Sequence, residues 1–547
     1  MYRNIATYPR QGKQYIWLST WDEDGNRVIE EHEIKPYLYY EDMNFKESPW
    51  KSMNGKPLRK MEFNTSFDRN EWIKNSLNIP LFEKFTPEKQ YLIDAYCGKE
   101  RDHDFMKYAL RTFFFDIEVE IDGCFPDASF AEFPINVISI YDTLTKTIYV
   151  WTYKKDIDKF LTSDKIDSIQ KEINDEYEKD VKVEIRKFKD EKALLVDFLK
   201  FWEDNYPDIV SGWNIDGFDI PYIINRIKRV LPAGFETRLS PLSWNKNAIR
   251  SQEEQVLRQK TVKYHIMGVS LCDYLLIYKK FIGKSQQSFK LDYIAKKETG
   301  KGKLDYYDLG YDSMQSFMRE DFATFVKYNI IDSTLVKQID DQRHFIELMR
   351  RVCNLGLCEY ENIFKTTPIV LGGLCIEARH MGVKFLTDAN RSEDSKFETD
   401  GYAGAFVFPT IPGFYTNGIM SFDFNSLYPN CIITNNISPE TMVGKVLTEI
   451  GDDSTEDVFI RKINNQVIKM SRQKFNELLE KKCCISAANV LFLKTDVQFG
   501  ILPSFLDKLY KGRVRLKTEM KNSKKIAHDL DEQIQKLEKQ LEEMEQE

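Results

Sequence analysis

The chain has 547 residues, of which 42% are hydrophobic and 30% charged, and its formal net charge at pH 7 is −8. A chain of this length is too long for one hydrophobic core and should form three to five domains. It has no apolar stretch near the roughly 18 residues that a membrane span needs, and its N-terminus lacks the apolar core of a signal peptide. We therefore expect a cytoplasmic protein without a membrane partner.

The spacing of the cysteines and the net charge bear on two kinds of site, a zinc site and a nucleic-acid site. The nine cysteines show no CxxC spacing, and few histidines lie near them, so we expect reduced thiols rather than a zinc site. The acidic net charge does not exclude nucleic acid, because phosphate contacts depend on local clusters of Lys and Arg.

The first chemical motif is FFFDIEVE at residues 113–120. It predicts a strand, on which Asp116 and Glu118 share a face because they lie two residues apart. One interpretation is an acidic, half-exposed edge strand. The other is a metal site that grips Mg²⁺ through carboxylate oxygens. Three consecutive Phe favour a buried strand, where unpaired charges would be very costly, and so favour the metal site.

The next stretch, residues 156–190, is dense in Lys, Asp and Glu. It predicts a solvated helix and loop. Because strand-like runs precede helical ones from residue 108 to about 339, we expect an α/β domain there.

Two further segments offer carboxylates. In SGWNIDGFDIPYIINRIKRV, a strand end and a polar turn precede a helix-like run. Asp219 is its candidate ligand, Asn214 could contact substrate, and Asp216 is better interpreted as a turn residue. In KYNIIDSTLVKQID, Tyr328 and Asp332 lie four apart on an amphipathic helix and so share a face. That spacing also occurs by chance in many helices.

A fourth segment, SFDFNSLYPN, begins at Ser421. The apolar run Ile419 to Phe422 predicts a strand that ends at Asp423, followed by a turn that places Leu427 and Tyr428 beside the carboxylate. Taken alone, the segment is equally typical of an ordinary turn.

The last part of the chain predicts a long helix. Pro503 and Ser504 open it, and Arg513 and Lys517 lie four apart on one face, where they could hold phosphates or simply contact solvent. After Lys525, apolar residues recur in steps of four and three, which is typical of a coiled coil. They are Ile526, Leu530, Ile534, Leu537, Leu541 and Met544. The charge changes from basic to acidic along this helix, so its end would suit a basic partner.

Together, the three upstream segments resemble the DEDD-type 3′→5′ proofreading exonuclease, with motifs DxE, Nx(2–3)(F/Y)D and YxxxD. The resemblance implies two-metal hydrolysis with Mg²⁺ or Mn²⁺ and an RNase H-like fold. It assigns Asp116, Glu118, Asp219 and Asp332 as metal ligands, and Tyr328 as the residue that orients the attacking water.

The SLYPN segment resembles the first palm motif of family B DNA polymerases, DxxSLYPS, with Asn430 in place of Ser. There the residue matching Asp423 holds both metals, and that matching Tyr428 lies under the sugar of the incoming dNTP. Arg513 and Lys517 match a pair that holds its triphosphate. The likeness is greatest to replicative polymerases of T-even-like bacteriophages, and YAGAFV at 402–407 supports it.

The resemblance implies a multidomain α/β chain. Its parts are an N-terminal domain (1–107, completed by about 340–380), the exonuclease (108–339), a partial α+β palm (381–499) and half of the helical fingers with a coiled-coil tail (500–547). The family also has a β-hairpin matching 247–265 and an N-terminal domain that binds its own mRNA. We expect primer-template DNA as a further partner.

Family B polymerases continue into KxxxNSxYG and YGDTDS, which supply the second palm carboxylate, and neither string occurs here. We expect a naturally divided polymerase rather than a truncated one, with a C-terminal chain that carries these motifs, the thumb and the sliding-clamp contact. The alternative is a regulatory fragment that binds RNA or single-stranded DNA.

Overall fold

The structure is a computed structural model that describes most of the chain. The described residues are 2–45, 47–76, 79–98, 108–120, 126–256, 259–283, 286–388, 407–448, 457–463 and 465–546, with no account of the side chains at 254–256, 259–261, 387–388, 539, 541–543 and 545–546. Residues 402–406 of the YAGAFV segment therefore lie outside the described residues.

The strands follow one another in short runs. In chain order they are β1 (Asn4–Arg10), β2 (Lys13–Trp21), β3 (Arg27–Ile34), β4 (Tyr37–Glu41), β5 (Lys51–Ser52), β6 (Leu58–Glu62), β7 (Leu81–Phe82), β8 (Thr112–Val119), β9 (Ile135–Asp142), β10 (Thr147–Tyr153), β11 (Lys182–Phe188), β12 (Ile209–Ser211), β13 (Ile249–Val256), β14 (Gln259–Ile266), β15 (Ser270–Leu271), β16 (Val383–Lys384), β17 (Leu386–Asp388), β18 (Met442–Val446), β19 (Val458–Lys462), β20 (Val467–Met470), β21 (Cys483–Ile485) and β22 (Val490–Leu493).

The helices are interspersed among these strands. They are α1 (Ser66–Asn75), α2 (Pro87–Tyr96), α3 (Ile157–Phe160), α4 (Ser163–Glu172), α5 (Glu191–Asp204), α6 (Asp219–Val230), α7 (Tyr274–Ile282), α8 (Leu291–Thr299), α9 (Met314–Glu320), α10 (Phe322–Arg343), α11 (Phe345–Leu355), α12 (Thr366–His380), α13 (Leu427–Thr434), α14 (Arg472–Lys481) and α15 (Ile501–Gln546). No helix among the described residues is both long enough and apolar enough to cross a membrane.

Contacts divide the chain into two compact units. The first comprises Met1–Tyr37, Glu62–Ile73 and Phe85–Gly372, and the second comprises Leu38–Met61, Lys74–Lys84 and Gly373–Glu547. The expected N-terminal domain, 1–107, thus contributes to both units. The domain boundaries expected from sequence stay predictions.

A six-stranded mixed sheet forms the centre of the first unit, in the order β11-β10-β9-β8-β12-β15. Alternate residues of β8, among them Phe113 and Phe115, face a core of aromatic and aliphatic side chains supplied partly by α5 and α6. On the other face α10 lies against β9, where Ser139 Oγ donates to Ser333 Oγ at 3.1 Å. This mixed α/β arrangement is consistent with the RNase H-like fold that we expected.

One expectation for this sheet was wrong. Residues 156–190 contain not only helices α3 and α4 but also β11, which pairs in parallel with β10 from Thr147↔Lys182 to Tyr153↔Phe188. Its backbone groups complete the edge of the sheet, although Val183 is the only strongly buried side chain of the strand. The matching hairpin at 247–265 does form, as the antiparallel pair β13–β14.

The second unit contains an antiparallel sheet in the order β20-β19-β18-β22-β21. Phe475 of α14 packs in its small core with Val458 and Leu491. After this sheet the chain enters α15, whose first N–H groups are capped by side chains: Glu440 accepts from Ile501 N at 2.5 Å and Ser438 Oγ from Leu502 N at 3.3 Å. The predicted long helix therefore exists, whereas a coiled-coil pairing and a palm fold stay predictions.

A buried ion pair should hold α6 in the first unit. Glu191 accepts from Arg226 Nε at 2.8 Å and Nη2 at 2.6 Å, and both side chains are buried. Glu191→Ala would leave the Arg226 charge uncompensated, so we expect a loss of stability of about 3 kcal/mol. Urea unfolding measures it, with exposed Lys192→Ala as the matched control. Equal unfolding midpoints for the two variants would contradict this role.

Candidate metal centre

Strand β8 carries the first two carboxylates. Its odd-numbered residues from Phe113 to Val119 are buried in the core, so Asp116 and Glu118 point to the opposite face. Both carboxylates are partly buried. The shared face predicted from their spacing is present.

Helix α10 brings a third carboxylate to this face. Asp332 is 4% exposed, and one carboxylate oxygen from each of Asp116, Glu118 and Asp332 lies within 4.8 Å of the others. Tyr328, one helical turn earlier, is also buried. The predicted helical spacing of Tyr328 and Asp332 is therefore correct. Helix α10 brings Asp332 to Asp116 and Glu118, which lie more than 200 positions earlier in the sequence.

Asp219 is the first residue of α6 and is buried. Its Oδ1 accepts the backbone N–H of Ile117 at 3.1 Å, which fixes it beside the strand segment between Asp116 and Glu118. Burial raises the pKa of Asp219 to about 7, although this hydrogen bond opposes the rise. Asp219 thus belongs to the same electrostatic environment as the other carboxylates.

The four carboxylates repel one another. Burial raises the pKa of Asp116 well above its usual range, and the charges of Asp219, Asp332 and Glu118 raise it further. Burial and the Asp332 charge raise the pKa of Glu118 to about 8. Buried like charges are costly unless a cation accompanies them. Oδ1 of Asp332 is buried without a hydrogen-bond partner, as expected of a ligand atom that faces a cation.

Lys303 supplies one positive charge that the sequence did not reveal as a site residue. Its Nζ lies 2.5 Å from Asp332 Oδ2 and 4.7 Å from the centroid of the Tyr328 ring. Burial lowers the pKa of Lys303, but Asp332 and Tyr328 outweigh that effect and the pKa stands well above its usual value. Nothing in its local sequence distinguishes this lysine from its neighbours.

Asn329 is a second residue that sequence reasoning missed. Its Nδ2 donates to Asp116 Oδ2 at 2.6 Å, so α10 and β8 are joined directly at the carboxylate cluster. Its position three residues before Asp332 on the same helix is the one signal that could have found it.

Tyr328 should act as a hydrogen-bond donor. Burial and the Asp332 charge raise its pKa, which keeps the phenol protonated. A protonated phenol beside Asp332 can donate to an oxygen of substrate or water.

The polar turn before α6 is organised by Asp273. The N–H groups of Asn214 and Asp216 donate to its two oxygens at 3.3 and 3.1 Å. Asn214 has φ of +70°, and its side chain lies so close to Gly217 that a Cβ there would come within 2.7 Å of Asn214 Oδ1. Asp216 lies in the turn itself, as predicted, and pairs with Lys263 at 3.2 Å.

The SLYPN segment differs from its prediction. Residues 419–424, including Asp423, form no strand, and every one of them is exposed. The expected strand is therefore wrong for this structure, because a strand needs a neighbour to receive its backbone hydrogen bonds. Leu427 and Tyr428 open helix α13 directly after Ser426, and the Tyr428 side chain is exposed.

Arg513 and Lys517 lie on α15. Arg513 Nη1 donates to Ser426 Oγ at 3.1 Å, which brings this guanidinium to the start of α13 and the SLYPN segment. Lys517 follows one turn later and is exposed. The roles of Asp423, Leu427, Tyr428, Arg513 and Lys517 stay predictions.

Two family models match different parts of the chain. Residues 43–294 match the model of the DNA polymerase family B exonuclease domain, and residues 369–539 match that of DNA polymerase family B. Asp116, Glu118 and Asp219 lie within the first match, whereas Tyr328 and Asp332 lie beyond it.

The chain is also similar to individual DNA polymerases. It is 32% identical to the DNA-directed DNA polymerase of Escherichia phage RB69 over 441 residues, which is 77% of this chain and 46% of the relative. The corresponding polymerase of Enterobacteria phage T4 is 31% identical, over 78% of this chain and 46% of the relative. The DNA polymerase delta catalytic subunit of Plasmodium falciparum is 26% identical over 62% of this chain and 28% of the relative.

The chain spans about half the length of the curated phage relatives it matches. Both matched family models describe family B polymerases; the first includes Asp116, Glu118 and Asp219, and the second includes the SLYPN segment. The chain belongs to DNA polymerase family B and carries its exonuclease domain and a polymerase region.

Proposed function

We propose that the first unit is a 3′→5′ exonuclease that removes nucleotides from DNA with Mg²⁺, or with Mn²⁺ in its place. The observation that carries this proposal is the convergence of Asp116, Glu118, Asp219 and Asp332 from β8, α6 and α10. Carboxylate oxygens are the ligands that these hard cations prefer. The unpartnered Asp332 Oδ1 supports the same fit.

Bound divalent cations would activate water and stabilise the departing 3′-oxygen. The protein residues hold these cations and position the water. The four carboxylates hold the cations, and the protonated phenol of Tyr328 orients the attacking water. Lys303 offsets part of the negative charge on Asp332, and Asn329 fixes the orientation of Asp116. No covalent nucleophile is needed for this reaction.

Metal binding should change the thermal stability of the chain. Because the carboxylates repel one another, Mg²⁺ or Mn²⁺ should raise the Tm of the wild-type chain. Asp219→Asn keeps an oxygen that can accept from Ile117 but removes one repelling charge. We therefore expect this variant to gain about 1 kcal/mol in metal-free buffer and to lose much of the response to metal.

The matched control for that experiment is Asp204→Asn, because Asp204 is exposed on α5 of the same unit. It should melt and respond to metal like the wild type. An identical metal response in Asp219→Asn would mean that the cations bind elsewhere.

The nuclease itself is tested with single-stranded DNA labelled at its 5′ end. The wild-type chain should shorten it from the 3′ end in Mg²⁺, and Asp219→Ala should lower the rate by about 10² or more, since a group that stabilises developing charge is lost. Asp204→Ala should cleave at the wild-type rate. Unchanged cleavage by Asp219→Ala would overturn the assignment, and tight DNA binding without any cleavage would favour the regulatory alternative.

We further propose that the second unit contributes to DNA synthesis. In this proposal Asp423 holds metal, Tyr428 and Leu427 contact the incoming dNTP, and Arg513 and Lys517 bind its triphosphate. The hydrogen bond that Arg513 Nη1 donates to Ser426 Oγ supports these roles, because they require Arg513 to lie near the SLYPN segment. Two-metal nucleotidyl transfer requires a second carboxylate, and we propose that a polypeptide with the YGDTDS motif supplies it, joins the tail of α15 and contacts the sliding clamp.

Primer extension tests this second role. The 547-residue chain alone should not extend a primer, whereas adding a polypeptide that carries NSxYG and YGDTDS should allow template-directed synthesis. Asp423→Ala should abolish that synthesis and leave the exonuclease intact, because Asp423 is not part of the carboxylate cluster. Synthesis by the homogeneous single chain, or by Asp423→Ala, would contradict the proposal.

A further inference from the structure

Helix α15 packs against other elements only in its first part. Every described side chain from Arg513 to Glu538 is exposed, although the helix runs to Gln546. At 1.5 Å per residue, the part after Arg513 is roughly 50 Å long. Most helical stability in proteins comes from packing an amphipathic face against a neighbour. A helix this long therefore needs a partner.

The exposed helix carries a continuous heptad pattern. From Leu516 to Met544 apolar or small residues alternate in steps of four and three, as the a and d positions of a coiled coil do. The large ones with described side chains are about half exposed or more: Leu516, Met520, Leu530, Ile534, Leu537 and Met544. Ser523 and Ala527 continue the register at its centre, and Ile526 falls at the adjacent g position.

Charge divides the same helix into two opposite halves. Residues 511–525 contain seven Lys or Arg and one Glu, a net charge of +6, while 527–547 contain eight Asp or Glu and two Lys, a net charge of −6. The e positions beside the seam follow this division. They are Lys517, Lys524, Asp531, Glu538 and Glu545.

These charges decide how two such helices could pair. A parallel pair of copies would place the acidic half of one against the acidic half of the other, and like charges at neighbouring positions are destabilising. An antiparallel pair would place the basic half of each copy against the acidic half of the other. The acidic end is also the negative end of the helix dipole. A basic partner at this end would therefore stabilise the helix.

We propose that two copies of this chain pair through α15 as an antiparallel coiled coil centred near Ala527. In this register the a and d positions mesh, so that Ala527 of one copy lies against Leu530 of the other and Met520 against Leu537. The e positions then oppose one another, and Lys524 meets Glu538 of the second copy, twice by symmetry. At the g positions Ile526 meets its own equivalent.

Pairing of two copies covers the same a and d positions of α15 that a second polypeptide would use. Self-pairing and joining to another polypeptide therefore exclude each other. Pairing also brings Lys517, proposed above to bind triphosphate, against the acidic half of the second copy. The proposal rests on the heptads and charges of α15 and does not depend on the proposed enzymatic activities.

Sedimentation equilibrium of the full chain tests the proposal. The mass should shift from the 64.5 kDa of one chain toward twice that value as concentration rises, and high salt should weaken the association. Lys524→Glu should weaken it roughly tenfold, since it replaces two attractive contacts with two repulsive ones. Glu538→Lys should do the same.

The double variant Lys524→Glu with Glu538→Lys should restore the affinity, because each new charge again meets its opposite. A parallel pair would show no such rescue, since it aligns Lys524 with Glu519 instead. Lys525→Glu is the matched control, because position 525 faces away from the seam, and it should dimerise like the wild type. The Tm of each variant, compared with that of the wild type, reports correct folding. A monomer at every attainable concentration, or a double variant as weak as the single ones, would overturn the proposal.

Discussion

The structure depends on the placement of several like charges where water is largely excluded. Asp116 and Glu118 come from one strand, and Asp219 and Asp332 come from two helices that lie about 100 and 200 residues further along the chain. Repulsion and burial both oppose this cluster, as the raised pKa values of Asp116 and Glu118 indicate. The cluster persists because the sheet and its two helices bring the carboxylates to one face. A site built at such a cost is typical of a functional centre.

Specific contacts hold the carboxylates against this repulsion. The backbone of β8 itself binds Asp219 through Ile117 N, and Asn329 binds Asp116, so strand and helices are joined at the cluster and not only through the apolar core. The Glu191–Arg226 pair secures α6 further along, and Asp273 organises the turn that leads into it. Lys303 supplies a positive charge beside Asp332. Catalysis by this arrangement would need little rearrangement of the protein, because its ligands are already oriented.

The sequence predicted the parts of this site that depend on local periodicity. The two-residue spacing of Asp116 and Glu118 and the four-residue spacing of Tyr328 and Asp332 follow from strand and helix geometry, and the structure has both. It did not predict Lys303 or Asn329, because their roles come from contacts between segments distant in sequence. Strand β11 was missed since its edge position needs backbone pairing more than apolar side chains. The strand before Asp423 was predicted from its apolar content alone, and residues 419–424 form none.

The central claim is that the four carboxylates form a divalent metal centre. The most direct measurement is anomalous scattering from crystals of the chain grown with Mn²⁺ and a short single-stranded DNA. The account predicts Mn²⁺ peaks bounded by Asp116, Glu118, Asp219 and Asp332, within about 2.0–2.6 Å of their oxygens, with the 3′ end of the DNA beside Tyr328. Ordered DNA at this face with no metal among the four carboxylates, or metal bound only elsewhere, would contradict it.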